Sequence, residues 1–211
     1  MNKIIKGFTL VALLLIASSS FSQTALSSSE ASILKEKVIK KSKTTKSIKS
    51  DFEQFKHLSF LTNDIKSTGK LTFKTPDLIK WEYEKPFVYK VVFKESKLFI
   101  DDDGKKSQID LSSNKTFKSM NSLIVKSVKG DMFDEDQFEI SYFKSGENYL
   151  VKFKPKDKNL KEMISQFDII FEKNSLNVLE IKMIESSEDY TRIVFINQKI
   201  NVSVSDAEFT L

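Results

Sequence analysis

The stretch from Ile65 to Lys85, IKSTGKLTFKTPDLIKWEYEK, alternates apolar and polar side chains in two runs. The turn signal Thr75-Pro76-Asp77 separates the runs. The apolar positions of the two runs are Gly69, Leu71, Phe73, Ile79, Trp81 and Tyr83. A period of two is typical of a strand that has one face on the core and the other in water. The stretch therefore predicts a hairpin of an antiparallel sheet.

The same alternation recurs along most of the chain, and its polar positions are mostly charged. The further runs are 89–93, 138–142, 149–153, 167–171, 179–183 and 193–195. Together with the turn signals between them, they predict a mainly β fold with about ten or eleven strands in one open sheet. The sequence shows no repeat and no low-complexity linker, so one domain is expected.

Two segments carry helical spacing instead. Ser27 and Glu30 have the spacing of a capping box, and the apolar stripe that follows runs to about Ser42. The second segment runs from Lys115 to Lys129, and Gly130 is placed to end it. These helices are expected to cover the concave face of the sheet. Full cover would make that face an ordinary core, and partial or reversible cover would leave a hydrophobic cavity; the periodicity favours neither.

The first 22 residues predict a secretory signal peptide. Lys3 and Lys6 precede an apolar run from Phe8 to Ala17, and small residues lead to Gln23. The run is shorter than the ~20 residues that a spanning helix needs, so a membrane anchor is the weaker alternative. The mature domain is expected to be 23–211, and its net charge falls from +5 to +3 because only the two lysines are removed. A disulfide-free exported chain fits the periplasm of a Gram-negative bacterium.

Composition argues against an enzyme. The chain has no Cys, one His and five Gly, which excludes thiolate chemistry, multi-His metal centres and Gly-rich phosphate loops. We therefore expect no catalytic residue, no metal and no cofactor. His57 is predicted to be a surface residue, and Asp101-Asp102-Asp103 a hairpin turn, because that triplet lacks the ligand spacing of a calcium loop. The lysines from 35 to 49 predict a solvated helix face, with attraction to an anionic membrane as the weaker alternative and no nucleic-acid partner.

The stretch from Gly69 to Pro86 resembles the outer-membrane lipoprotein carrier family (LolA-like proteins). The shared pattern is a Gly, alternating apolar residues, a Pro, a Trp five residues on and a second Pro. Ile48 to Gln54 is similar to the family's first strand, and Asp189–Phe195 and Asn201–Phe209 are similar to its closing strands. The resemblance covers nearly the whole mature chain in the same order.

The resemblance implies an open, strongly curved antiparallel half-barrel with an α-helical lid. It also implies a monomeric carrier that shelters acyl chains and moves lipoproteins from an inner-membrane releasing complex to an outer-membrane acceptor. By position and strand parity, the cavity residues would be Phe52, Leu71, Phe73, Ile79, Trp81, Tyr83, Val91 and Phe93. The lid residues would be Phe117, Met120, Leu123 and Ile124.

Two positions depart from the family pattern. Thr75 stands where well-studied members have an Arg that is thought to latch the lid, so the latch is expected to be absent or built differently. Lys94-Glu95 stands where a hairpin usually carries Asp-Gly, so the turn is expected to change type. Another acylated or aryl-lipid cargo therefore stays open, as does an adaptor domain with a filled core and no ligand.

Overall fold

The computed structural model describes residues 23–111, 123 and 125–211, and this part of the chain forms one antiparallel sheet of twelve strands. The strands are β1 (Gln23–Ala25), β2 (Ser47–His57), β3 (Ile65–Lys74), β4 (Leu78–Lys85), β5 (Tyr89–Lys94), β6 (Lys97–Asp102), β7 (Lys105–Asp110), β8 (Phe138–Ser145), β9 (Asn148–Pro155), β10 (Ile164–Phe171), β11 (Val178–Glu185) and β12 (Tyr190–Ile200).

The strand order is β1-β8-β9-β10-β11-β12-β2-β3-β4-β5-β6-β7, so the sheet is open, with β1 and β7 at its edges. This confirms the predicted open antiparallel sheet. The count is twelve instead of ten or eleven. Two strands carry little alternation: β1 has three residues, and every residue of β7 is exposed.

The sheet curves strongly around its apolar face. Strands β5 and β10 lie six positions apart in the sheet, which would separate them by about 29 Å if the sheet were flat. Phe93 on β5 and Phe167 on β10 nevertheless line the same cavity. The sheet therefore bends far enough to bring distant strands face to face, as a half-barrel does.

Three helical segments accompany the sheet. Helix α1 (Ser28–Thr44) begins with the predicted capping box, in which Ser27 Oγ accepts from the backbone N–H of Glu30 and the Glu30 carboxylate accepts from the backbone N–H of Ser27. Residues 125–129 are helical, and Gly130, with φ 74°, ends this segment as predicted. Helix α2 (Lys158–Met163) precedes β10.

Helix α1 is amphipathic in the sense that the sequence predicted. Leu34 and Val38 are buried in the main core, while Lys37, Lys40 and Lys43 are exposed. These lysines form the predicted solvated helix face, whereas the last lysine of the run, Lys49, lies in β2.

The centre of the core depends on a glycine. The Phe52 ring meets the Trp81 and Tyr83 rings edge-on, with centroids 4.9 and 5.1 Å away. A Cβ at Gly69 would lie 2.8 Å from Phe52 Cζ and 2.0 Å from the backbone oxygen of Glu82. Only glycine lets the ring and the strand backbone approach this closely.

The predicted closing strand from Asn201 to Phe209 is wrong. Strand β12 ends at Ile200, and Asn201, with φ 57°, turns the chain away. The segment then crosses the outer face of the sheet, where Phe209 is buried in a second small cluster with Val92, and residues Asp206–Phe209 form a 3-10 helix. The apolar residues of this segment cover the outside of the sheet instead of extending a strand.

The hairpin after β5 also differs from expectation. Glu95 and Ser96 form its two-residue loop, with φ 53° and 58°. Two positive values at the central residues are those of a type I′ turn, the type that Asp-Gly favours, so the predicted change of turn type is wrong. The pairing of β5 with β6 imposes the turn on residues that seldom adopt it. At Thr75 the backbone N–H donates to the Lys46 carbonyl at 2.9 Å; the altered lid latch stays a prediction.

Candidate functional site

An apolar cavity of about 260 Å³ lies between the concave face of the sheet and the helical segment. Its walls come from β4, β5, β10, β11 and β12, and from two residues of the helical segment. The lining residues are Trp81, Tyr83, Tyr89, Val91, Phe93, Leu123, Ser127, Ile164, Phe167, Ile181, Met183, Thr191 and Ile193.

Aromatic rings form one wall of this cavity. Tyr83 and Tyr89 stack with centroids 4.2 Å apart and planes 8° apart. The Tyr83 hydroxyl donates to Gln54 Oε1 at 3.0 Å, so its polar end is satisfied inside the wall. Burial, followed by the neighbouring Tyr89, raises the pKa of Tyr83 above its usual range. The phenol therefore stays neutral, which suits an apolar site.

The described lining residues carry no formal charge at neutral pH. Their polar groups are the two tyrosine hydroxyls, Ser127 and Thr191. Such a surface can remove an apolar chain or ring from water. Met183 adds an unbranched thioether that adapts its shape to different guests.

The structure divides the predicted cavity residues into two groups. Trp81, Tyr83, Val91 and Phe93 line the cavity, and the predicted lid residue Leu123 joins them. The other four are not among the lining residues and have exposures of 0 or 1 %; they are Phe52, Leu71, Phe73 and Ile79. Those four are core side chains of the described structure, and a lipid-binding role for either group stays a prediction. Phe117, Met120 and Ile124 lie outside the described residues.

The sequence did not indicate the far wall of the cavity. Phe167, Ile181, Met183 and Ile193 stood out as apolar positions of alternating strands, but nothing in the sequence linked those strands to β4 and β5. The link is the pairing of β12 with β2, in which Phe195 lies opposite Phe52. Strand parity would have selected the correct face once that pairing was known.

The imidazole and the acidic triplet, which were weighed as catalytic or metal-binding groups, make structural contacts. His57 Nδ1 lies 2.9 Å from Asp64 Oδ1, and the imidazole stacks on Tyr190 at 4.7 Å. Asp101 Oδ1 accepts from the backbone N–H of Gly104 at 2.8 Å and so supports the β6–β7 turn. Within the described residues, no three His, Asp or Glu side chains come together in a way that could hold a metal ion.

The sequence from residue 43 to 211 matches the outer membrane lipoprotein carrier protein LolA family. The chain belongs to the LolA family. The description of this family is that of a carrier, and together with the fold it indicates a domain that binds lipid or lipoprotein.

Two solved structures share the fold of this chain at very low identity. MucB superposes with a TM-score of 0.53 at 10% identity, over 87% of this chain and 63% of the MucB chain. A conserved protein from Thermus thermophilus superposes with a TM-score of 0.52 at 8% identity, over 85% of this chain and 92% of the Thermus chain. For a LolA superfamily protein from Nitrosomonas europaea the TM-score is 0.45 at 8% identity, over 86% of this chain and 97% of the Nitrosomonas chain. None of the curated proteins matches the chain. No helix in the described part of this LolA-family chain is long and apolar enough to cross a membrane.

Proposed function

We propose that this chain is a periplasmic carrier that shelters the acyl chains of lipoproteins in its cavity. It would take them from an inner-membrane releasing complex to an outer-membrane acceptor, as a monomer. The observation that carries the proposal is the uncharged apolar cavity, found in a member of a family of lipoprotein carriers. The task makes and breaks no bond, so it requires no catalytic group.

The free energy of hydration makes such a shelter necessary. Each CH₂ group removed from water contributes ~0.8 kcal/mol, so a sixteen-carbon chain left in water costs on the order of 12 kcal/mol. An apolar cavity of ~150 Å³ holds one benzene molecule. On that scale, a cavity of 260 Å³ has room for about ten carbon atoms. A sixteen-carbon chain therefore needs more room than the cavity offers as it stands.

The helical segment is the wall that can supply this room. The other described walls are strands held by a continuous ladder, whereas Leu123 and Ser127 belong to a separate segment packed on the sheet. Displacement of this segment enlarges the cavity without breaking strand pairs. A carrier must also release its cargo, so two states of this wall, closed when empty and open when loaded, suit the task.

The proposal is tested with acyl chains of graded length. Trp81 is the chain's one tryptophan and lines the cavity, so its emission reports on a guest. We expect saturable one-to-one uptake of a fluorescent acyl probe, with affinity that rises from eight to ten carbons and on to sixteen if the helical wall moves. A lipidated peptide should displace the probe, and the same peptide without its lipid should not. No probe uptake would contradict the carrier function.

Five aromatic lining residues favour a second cargo class, an aryl lipid. They are Trp81, Tyr83, Tyr89, Phe93 and Phe167. Flat rings stack on such side chains at a gain of about 0.5–1.5 kcal/mol beyond area burial. Competition between a saturated acyl chain and an aryl lipid of equal carbon number separates the two cargoes. Mass spectrometry of molecules that co-purify from the native host identifies the cargo directly.

A further inference from the structure

The exposed apolar side chains of the protein concentrate at one end of the sheet. In the described part of the chain, nine large apolar side chains are exposed. Six of them belong to the same end, and we call these six the rim: Phe60, Leu61, Ile65, Phe87, Val88 and Met163. Exposed apolar side chains that concentrate at one end of a sheet are typical of an interaction site.

Sheet topology brings the rim residues together. Loop 58–64 joins β2 to β3, and loop 86–88 joins β4 to β5 at the same end of the sheet. The two hairpins are neighbours, so their centres lie about 10 Å apart along the sheet edge. Met163 directly precedes Ile164, which pairs with Glu185 at this end. The rim therefore consists of two adjacent hairpin loops and a third segment at the same end of the sheet.

The loop that presents Phe60 and Leu61 is held in place. Asp189 Oδ1 accepts from the backbone N–H of Ser59 at 2.8 Å, and this bond is the main reason that the pKa of Asp189 lies below its usual value. The His57–Asp64 contact closes the base of the loop at 2.9 Å. Phe60 is 78 % exposed on this fixed backbone, and Phe87 is 76 % exposed on the neighbouring loop. Both rings stay in water while the protein is free.

The cavity lies next to the rim. Tyr89 is the first residue of β5, Ile164 is the first of β10 and Thr191 is the second of β12, and all three line the cavity. These strand ends belong to the same end of the sheet as the rim. A guest that enters between the strand ends and the helical segment passes the rim.

The charged groups around the rim are of both signs. Exposed lysines at this end that form no salt bridge with the described residues include Lys85, Lys105, Lys106, Lys158 and Lys161. Exposed carboxylates at the same end include Asp64, Asp102, Asp103, Glu162 and Glu188. Because the charges nearly balance, attraction to an anionic surface is weak, and the apolar side chains dominate any docking.

We propose that the rim inserts into the interfacial layer of a phospholipid bilayer, with the cavity mouth facing the lipid. The choice of a bilayer rests on the proposed function, because the acyl cargo resides in one. It is favoured by the shape of the rim, since rings that protrude from separate loop tips need no matching groove. Aromatic and long cationic side chains are also the residues that settle at a membrane interface.

The test is vesicle flotation with three proteins. The rim variant is Phe60→Ser with Phe87→Ser, and the matched control is Ile33→Ser with Ile196→Ser, two exposed residues away from the rim. Vesicles are made of phosphatidylethanolamine with phosphatidylglycerol, or of phosphatidylcholine alone. We expect the wild type and the control to float with both compositions. The rim variant should bind at least tenfold more weakly, because burial of each Phe contributes about a factor of ten or more.

Three results would overturn the rim proposal. The first is a wild type that fails to float, and the second is a rim variant that floats as well as the wild type, which would assign any anionic preference to lysines. The third is a dimer seen by light scattering that the rim variant abolishes, without vesicle binding, which would make a second copy the occupant.

Uptake of the acyl probe without vesicles separates this inference from the proposed function. Neither Phe60 nor Phe87 lines the cavity, so the rim variant should bind the probe like the wild type. Rim-dependent flotation without probe uptake would contradict the carrier function and leave the docking surface. Probe uptake without flotation would leave the carrier function and overturn the docking surface.

Discussion

One substitution, valine to aspartate, made at two positions, distinguishes cavity from core. Val91 in β5 is half-buried and lines the cavity. Val151 in β9 is 0 % exposed, belongs to the main core and lies opposite Ile169 on the neighbouring strand. The chemical change is identical, so any difference between the variants reflects the space around each side chain.

The expected magnitudes differ widely. A carboxylate at Val151 has no room for water, and burying it costs several kcal/mol, comparable to the ~5–15 kcal/mol that stabilise a whole domain. At Val91 the cavity of 260 Å³ has room for about eight water molecules at ~30 Å³ each. Because this water can hydrate the carboxylate, the main loss of folding stability is the burial of the valine side chain, roughly 1–2 kcal/mol. An acyl chain must displace that water, so cargo affinity should fall by about 3 kcal/mol, or a hundredfold.

Urea unfolding and probe titration measure the two effects on the same samples. Val91→Asp should unfold slightly below the wild-type urea midpoint and take up the probe at least a hundredfold more weakly. Val151→Asp should fail to fold or unfold at a far lower midpoint. Val91→Thr is the control variant: threonine is similar to valine in shape and polar but uncharged, so it separates the effect of the charge from that of replacing the valine. Wild-type probe affinity in Val91→Asp would refute the cavity as the binding site, and equal destabilisation of both variants would make Val91 an ordinary core position.

Two further predictions concern the sheet and the helix that support the site. Gly69→Ala places a Cβ 2.0 Å from the Glu82 backbone oxygen, so it should lower the free energy of unfolding by more than ~3 kcal/mol. Gly104→Ala is the control: its Cβ would have nothing within 4 Å, and its φ of 85° should cost ~1–2 kcal/mol. Equal losses of unfolding free energy, measured in urea, would contradict this account. The Glu30 carboxyl, through its bond with Lys144 and then Ser27, has its pKa lowered from 4.5 to about 2. Its contribution to stability is therefore present above about pH 4.5 and lost as the pH falls towards 2. The urea midpoint of Glu30→Gln should change less over that pH interval than the midpoint of the wild type. If both proteins show the same pH dependence, this carboxylate does not stabilise the fold.

Local signals in the sequence predicted the elements that depend on near neighbours. The start of α1 followed from Ser27 and Glu30 because a capping box is satisfied within four residues. The end of the helical segment at Gly130 followed from a residue that adopts positive φ without strain. Alternation likewise identified the strands that carry a regular apolar face.

Features that depend on distant pairing could not be predicted from the sequence. The loop Glu95-Ser96 adopts a type I′ turn because two paired strands require it, against the preference of its residues. Phe209 alternates like a strand residue, yet it is buried on the outer face with Val92. Ile79 and Trp81 share a face and a strand, but Ile79 is covered on all sides while Trp81 meets the cavity. The alternation of residues along a strand tells which face of the sheet a side chain occupies. Whether that part of the face is packed core or cavity depends on the curvature of the sheet.

The same apolar face therefore serves as core at one end and as cavity at the other. Helix α1 packs Leu34 and Val38 into the core, and its last turn shares a recess with Ile48 and Ile200, at the end opposite the rim. Towards the rim, the described cover of the cavity consists of Leu123 and Ser127. Helix α1, fixed by its caps and ion pairs, closes the first half, and the helical segment that carries Leu123 and Ser127 covers the second. The proposed uptake and release of a lipid chain require the segment over the cavity to move. Because α1 and its core hold the strands in place, such a movement would leave the sheet folded.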